Sequence, residues 1–175
     1  MRHPAVFWLT GLPGSGKTAL ALAAREAFPS IVVLHMDEMR RVVTPSPSYS
    51  DEERERVYRA LVFTAMVLAR EGKGVVIDAT ANRRAWRELA RGLVPNFHEI
   101  YVRCPAELCR EREARRVDEF APGGVYEKGG AGWPVPGVNV PYEEPENPEL
   151  TIDCGELAVS GAAEKFVKYI KGVLQ

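Results

Sequence analysis

Apolar and polar positions alternate along the chain in two recurring patterns. Short, mainly apolar runs, typical of strands buried on both faces, occur at residues 6–9, 31–34, 75–77, 98–102 and 150–152. Between them, apolar residues recur at the three-to-four-residue spacing of amphipathic helices. Strands that alternate with helices form right-handed βαβ units. The pattern therefore predicts an α/β fold, with a five-stranded parallel sheet covered by helices on both faces.

Local signals predict where several helices begin and end. Ser50 followed by Glu53 forms a capping box, which predicts a helix start just after Ser50. Gly72 fits the C-terminal end of that helix. Ser160 is the predicted N-cap of the last helix, and two further helices are predicted at residues 19–28 and 106–116.

One long segment, residues 117–148, breaks the regular alternation. It contains six prolines and six glycines and has no periodic apolar pattern. Irregular segments of this length usually serve as lids or binding loops, or are disordered. We therefore expect one domain over residues 1–175, with a lid at about 117–148.

Composition narrows the range of functions. The net charge is −1, which argues against a nucleic-acid binder driven by bulk positive charge. Arginines outnumber lysines by 17 to 6, which favours anionic ligands, although genomic composition or thermal adaptation would give the same bias. Cys104, Cys109 and Cys154 show no metal-binding or disulfide spacing, so we expect reduced thiols and a cytoplasmic protein. No apolar run is long enough to cross a membrane.

The strongest chemical signal is the sequence G-L-P-G-S-G-K-T at residues 11–18. It completes the G-x-x-x-x-G-K-[ST] pattern of a phosphate-binding loop, between a predicted strand and a predicted helix as that loop requires. Lys17 would reach the β- and γ-phosphates of ATP, and the Thr18 hydroxyl would ligate Mg²⁺. The predicted ATP-binding residues of the loop are Gly11, Pro13, Gly14, Ser15, Gly16, Lys17 and Thr18.

Two acidic residues follow predicted strands, where ligands bind in parallel sheets. Asp37 would accept the proton of an acceptor hydroxyl or support the metal, and Asp78 is a second candidate for the same roles. With Lys17 they are the predicted catalytic residues. Thr80 and Asn82 are candidate substrate ligands, or else simply form a turn and a helix cap.

Four arginines are candidates for binding anions. Arg40 would clamp an anionic group of the substrate. Arg54 and Arg59, on the long predicted helix, are either substrate ligands or solvated charges. Arg112 leads into the irregular segment, where an arginine would contact the phosphates or base of ATP.

A phosphate loop alone does not separate kinases from GTPases or motors. The guanine signature N-K-x-D does not occur, and the short chain favours a small kinase. Such a kinase transfers a phosphoryl group to a hydroxyl of a small anionic substrate under a lid that excludes water. The alternative class is a nucleotide-binding regulatory module without catalysis.

Several segments together resemble the adenylylsulfate kinase family. Residues 34–40, L-H-M-D-E-M-R, are similar to the family's L-D-G-D-N-V-R. Tyr49 and Ser50, followed by Arg54 and Arg59, resemble F-S-x-x-D-R-x-E-N-x-R-R, and residues 99–112 resemble E-V-F-V-x-x-P-x-x-x-C-x-x-R. Residues 137–150, G-V-N-V-P-Y-E-E-P-E-N-P-E-L, are close to G-I-D-x-P-Y-E-x-P-x-x-P-E-L. The resemblance covers nearly the whole chain.

The resemblance implies a strand order of 2-3-1-4-5 and an α/β P-loop kinase. It implies ATP and Mg²⁺ as cofactors and the 3′-hydroxyl of adenylyl sulfate as the acceptor, a reaction of sulfate assimilation. It also makes Lys128 a substrate-binding candidate, because residues 125–129 are similar to the family's L-Y-K-K-A. A homodimer is the assembly that the resemblance suggests.

The chain departs from the family pattern around the acceptor. His35 replaces the first aspartate of D-G-D, Val57 replaces the asparagine, and Ala81 replaces the serine of F-I-S-P. Residues 134–136, P-V-P, stand where the family has I-K-G-F-T, so we expect the aromatic stack on the substrate's adenine to be lost. Adenylyl sulfate should then bind less tightly than in relatives with the full motif. The alternative acceptor is a hydroxyl of another nucleotide-linked metabolite or nucleoside.

Overall fold

The computed structural model of the protein describes residues 4–115 and 123–175. Its centre is a five-stranded sheet in the order β2-β3-β1-β4-β5, with every neighbouring pair parallel. The strands are β1 (Val6–Thr10), β2 (Val32–His35), β3 (Val75–Asp78), β4 (Phe97–Arg103) and β5 (Leu150–Asp153). The predicted fold class and strand order are confirmed.

Seven helices lie within the described residues. They are α1 (Lys17–Ala27), α2 (Met36–Val43), α3 (Asp51–Arg70), α4 (Arg84–Leu93), α5 (Ala106–Ala114), α6 (Val125–Gly130) and α7 (Val159–Leu174). None of these described helices is long and apolar enough to span a membrane. The short α6 lies in the segment that we expected to be irregular. That expectation is therefore wrong for residues 125–130, which form between one and two turns of helix.

The predicted helix boundaries are correct at α3 and wrong at α7. The Ser50 hydroxyl accepts a hydrogen bond from the Glu53 amide at 3.2 Å, and Gly72 has a φ of 80° just past the end of α3. The last helix instead begins at Val159 with Ala158 as its N-cap. Ser160 therefore lies inside the first turn, where its hydroxyl cannot occupy the capping position.

Two apolar cores cover the two faces of the sheet. Successive residues of β1 point to opposite sides. Val6 and Trp8 pack against residues of α3 and α4, while Phe7 and Leu9 pack against residues of α1 and α7. All five residues of β1 are fully buried. This burial fixes the carboxyl end of β1, from which the phosphate loop emerges.

The second half of the predicted lid and the residue just after it are tied to α4, and to the turn before α4, by hydrogen bonds and an ion pair. The Glu143 amide donates to the carbonyl of Asn82 at 2.8 Å, and Arg87 donates to the carbonyl of Glu143 at 2.6 Å. Arg91 forms an ion pair with Glu149. Part of the predicted lid, residues 117–122, lies outside the described residues, so the lid itself stays a prediction.

Candidate active site

A cavity of about 550 Å³ opens beside the carboxyl ends of the central strands. It contains most of the residues that the sequence singled out. From the phosphate loop and the lid side come Pro13, Gly14, Gly16, Lys17, Thr18, Arg112 and Lys128. From the opposite side come Asp37, Arg40, Arg54, Asp78, Thr80 and Asn82. The fold thus brings the predicted ATP-binding and substrate-binding residues into one space.

The phosphate loop has the backbone that its glycines predict. Gly14 has a φ of 80°, and a Cβ at this position would collide with the carbonyl oxygen of Cys109. Only glycine therefore fits this close approach of the loop to α5. The Lys17 Nζ lies 2.9 Å from the carbonyl oxygens of both Gly11 and Leu12. These contacts hold the ammonium group across the mouth of the loop.

The carboxylate of Asp78 is held at the foot of the loop. It lies 3.1 Å from His35 Nδ1 and accepts a hydrogen bond from the Thr18 hydroxyl. Burial alone would raise the pKa of Asp78. The hydrogen bond with His35, the charge of Lys17 and the hydrogen bond from Thr18 outweigh burial, so the pKa is lowered and the carboxylate stays ionised.

These oxygens fit a magnesium ion that is bound together with nucleotide phosphates. Among residues 4–115 and 123–175, no group of three or more His, Cys, Asp and Glu side chains forms a metal cage. Mg²⁺ usually binds one or two protein oxygens and completes its shell with water and substrate phosphates. The Thr18 hydroxyl and the ionised Asp78 carboxylate provide that kind of partial site.

Arg40 and Arg54 form a positive wall that is mostly removed from water. Arg40 is 8% exposed and Arg54 is 7% exposed. The Arg40 guanidinium donates to Glu53 at 2.9 Å, and Arg54 donates to the carbonyl of Pro134 at 2.7 Å. Burial is the main cause that lowers the pKa of Arg54, and a single carbonyl does not neutralise its charge.

An aromatic pair that the sequence analysis missed lies beside these arginines. The rings of Tyr49 and Trp133 are 4.7 Å apart, and both line the cavity. Lys128 Nζ lies 4.9 Å from the Trp133 ring, and Arg40 lies 5.0 Å from the Tyr49 ring. An aromatic ring therefore lines the cavity although the family's phenylalanine is absent, and the loss of the family's stack on adenine stays a prediction. Trp133, directly before the residues 134–136 that replace the family's I-K-G-F-T, supplies a ring.

The turn after β3 forms the floor beneath this wall. The Thr80 carbonyl accepts a hydrogen bond from the Thr10 hydroxyl at 2.6 Å, and Asn82 Nδ2 donates to the Pro141 carbonyl at 3.0 Å. Asn82 does not cap α4, because Arg83 occupies the N-cap position. Tyr58, which the sequence analysis also missed, lines the cavity and binds the backbone of Ala81.

Arg112 lines the cavity on the opposite side, beside buried thiols. Its guanidinium donates to the Cys154 carbonyl at 3.1 Å and contacts the Cys104 sulfur at 3.7 Å. All three cysteines are free and buried, as expected for reduced thiols. Burial raises the pKa values of Cys109 and Cys154, so these thiols stay protonated and unreactive.

Three predicted ligands do not line the cavity. Arg59 is an exposed residue that forms an ion pair with Glu55. Arg54 and Arg59 are separated by five helical positions, or roughly 140° around the helix axis, so they cannot face the same cavity. Gly11 and Ser15 belong to the phosphate loop but are buried within it, and the Ser15 amide donates to the Leu12 carbonyl at 3.1 Å.

The parallel sheet, the phosphate loop between β1 and α1, and the carboxylates at the next two strand ends define a P-loop kinase of the α/β class. The family model for adenylylsulphate kinase matches residues 3–153. The chain belongs to this family, which confirms the resemblance seen in the sequence.

Individual relatives match over most of their length. An adenylyl-sulfate kinase from Bacillus pumilus is 34% identical over 95% of this chain and 84% of its own length. A probable adenylyl-sulfate kinase from Archaeoglobus fulgidus is 37% identical over 85% of this chain and 94% of its own. A similar solved structure is that of the APS kinase from Mycobacterium tuberculosis in complex with AMPPNP and APS, whose sequence is 26% identical to this chain. It covers 98% of this chain and 99% of its own, with a TM-score of 0.85.

Proposed function

We propose that the protein transfers the γ-phosphoryl group of ATP to the 3′-hydroxyl of adenylyl sulfate. One observation carries the proposal: a single cavity joins the phosphate loop to a wall of buried arginines and paired aromatic rings. A phosphate loop binds the donor, and the opposite wall suits a ligand that has both a base and an anionic group. The M. tuberculosis relative, whose structure contains AMPPNP and APS together, supports the same use of the cavity.

The two carboxylates have different surroundings, which suggests different roles. Asp78 is engaged with Thr18 and His35, so we assign it to the shell of the metal. Asp37 lies in the first turn of α2 and lines the cavity, so we assign it to orient the acceptor hydroxyl and accept its proton. Mg²⁺, when bound, would neutralise charge on the phosphates of ATP. Lys17 would stabilise the charge on the transferred phosphoryl group, and Thr18 would hold the metal.

The buried arginines suggest which end of the acceptor faces them. A guanidinium that has been removed from water is stabilised by an anion that binds it directly. The phosphosulfate group of adenylyl sulfate supplies that anion to Arg54, whose hydrogen-bond partner is a carbonyl, and shares the Arg40 guanidinium with Glu53. The adenine then lies towards Tyr49 and Trp133, with Lys128 beside it.

A second acceptor remains a candidate because of the departures from the family pattern. Val57 is fully buried in the core, so it cannot contact a substrate as the family's asparagine would. Ala81 has no polar side chain, and His35 is turned to Asp78. These differences favour a hydroxyl of another nucleotide-linked metabolite as the alternative acceptor. The complete set of Lys17, Thr18 and Asp37 argues against a module without catalysis. A homodimer and a cytoplasmic location, which rest on the family resemblance and the reduced thiols, complete the proposal.

Initial rates with ATP and Mg²⁺ test the proposal directly. Adenylyl sulfate is compared with AMP, which lacks only the sulfate, and with adenosine and several nucleotide sugars. Loss of a charged contact costs about 1.5–3 kcal/mol, so we expect kcat/KM for adenylyl sulfate to exceed that for AMP by roughly tenfold or more. If AMP is turned over equally well, or a nucleotide sugar faster, the acceptor is the alternative one and not adenylyl sulfate.

A further inference from the structure

Ala81 has an unusual backbone conformation for a residue with a side chain. Its φ is 46°, in the left-handed region, and it is fully buried. A Cβ makes this region unfavourable, so such residues persist only where neighbouring groups hold them. Ala81 lies between Thr80 and Asn82, which both line the cavity. Its conformation therefore sets the direction of two residues on the acceptor side of the site.

Two buried side chains hold the backbone of Ala81 from opposite sides. The Tyr58 hydroxyl, on α3, accepts a hydrogen bond from the Ala81 amide at 2.8 Å. The guanidinium of Arg87, on α4, donates to the Ala81 carbonyl. The Tyr58 ring is itself fixed, because it stacks on Trp86 at 4.0 Å.

We propose that Tyr58 is a positioning residue for the acceptor substrate. Its hydroxyl holds Ala81 in the left-handed conformation, and this aims Thr80 and Asn82 at the acceptor. The inference rests on the proposed function and deepens it. Tyr58 occupies a variable position of the stretch that resembles F-S-x-x-D-R-x-E-N-x-R-R, and Ala81 stands where the family has serine. Tyr58 and Ala81 thus form a pairing that the family pattern does not specify.

Tyr58→Phe removes the hydroxyl and keeps the stacked ring. We expect the KM for the acceptor to rise about fivefold to tenfold, as expected for the loss of one buried hydrogen bond. The KM for ATP stays unchanged. Tyr169→Phe is the matched control, because the Tyr169 hydroxyl lies 2.8 Å from His98 Nδ1 and Tyr169 does not line the cavity. We expect neither KM to change in the control.

A rescue variant separates positioning from general destabilisation. Glycine adopts a positive φ without a steric penalty. In the double variant Tyr58→Phe with Ala81→Gly, the KM for the acceptor should therefore fall back close to the wild-type value. An equal rise in both KM values in Tyr58→Phe, or no recovery in the double variant, would overturn the inference.

Amide hydrogen exchange at residue 81 provides a readout that needs no substrate. We expect the Ala81 amide to be protected in the wild type and in Tyr169→Phe, and to exchange at least tenfold faster in Tyr58→Phe. If the wild type does not phosphorylate adenylyl sulfate, the proposed function fails while this exchange measurement still decides whether Tyr58 holds the turn. Equal exchange in all three proteins would overturn the inference even if the proposed function holds.

Discussion

The aromatic pair in the cavity gives a quantitative prediction about acceptor binding. Trp133→Ala removes a ring that lies 4.7 Å from Tyr49 and 4.9 Å from the ammonium group of Lys128. Stacking of a base on an aromatic side chain contributes about 1–3 kcal/mol. This range corresponds to roughly 5- to 150-fold weaker binding of the acceptor, since each 1.4 kcal/mol changes a binding constant by a factor of ten. Trp133 is only half-buried, so we expect an increase near the lower end, about tenfold.

Steady-state kinetics with each substrate varied in turn measures this effect. The acceptor KM should rise in Trp133→Ala, recover largely in Trp133→Phe, and leave the KM for ATP unchanged. Phe63→Ala is the control for loss of an aromatic ring, because Phe63 is 61% exposed on α3 and does not line the cavity. If the KM for ATP rises and that for the acceptor does not, the aromatic pair belongs to the nucleotide donor and the assignment of the two halves of the cavity is wrong.

Three further predictions concern charged residues of the site. Lys17→Ala should lower kcat by a factor of about 100 to 1,000, as is typical when a donor that stabilises charge in the transition state is removed. Its circular dichroism spectrum should be unchanged. Near-native turnover would exclude a kinase mechanism that uses this loop. Arg40→Ala should raise the acceptor KM much more than the ATP KM, and the reverse result would show that Arg40 serves the donor. Because the pKa of Asp78 is lowered in the folded protein, its contribution to stability is present above the ordinary carboxyl pKa of about 4 and is lost as the pH falls through the lowered value. Asp78→Asn should therefore have a lower Tm than the wild type at neutral pH, and its Tm should fall less towards acidic pH. If the Tm of both proteins changes with pH in parallel, the ionised Asp78 carboxylate does not stabilise the fold.

The sheet and the phosphate loop could be predicted because their signals are local. Each strand is a short apolar run, and the loop pattern from Gly11 to Thr18 has one known geometry. The strand order came from the family resemblance, since alternating strands and helices alone do not fix the order of a parallel sheet.

The parts of the site that were missed depend on contacts between distant segments. Trp133 contacts Tyr49 because residues 133 and 134 pack against the start of α3 and the residues just before it, and no local pattern shows this. Tyr58 was missed for a similar reason, because its partner Ala81 lies 23 residues further along the chain, after β3. The absence of Arg59 from the cavity could have been predicted from the sequence, since five positions along a helix turn it away from the face that carries Arg54.

The site of phosphorylation on the acceptor tests the central claim most directly. The protein is incubated with ATP, Mg²⁺ and adenylyl sulfate, and the product is examined by two-dimensional ¹H–³¹P NMR. We predict a new phosphorus signal coupled to the ribose H3′, with the phosphosulfate resonance retained. A product phosphorylated elsewhere, or release of phosphate from ATP with adenylyl sulfate unchanged, would contradict the proposed function.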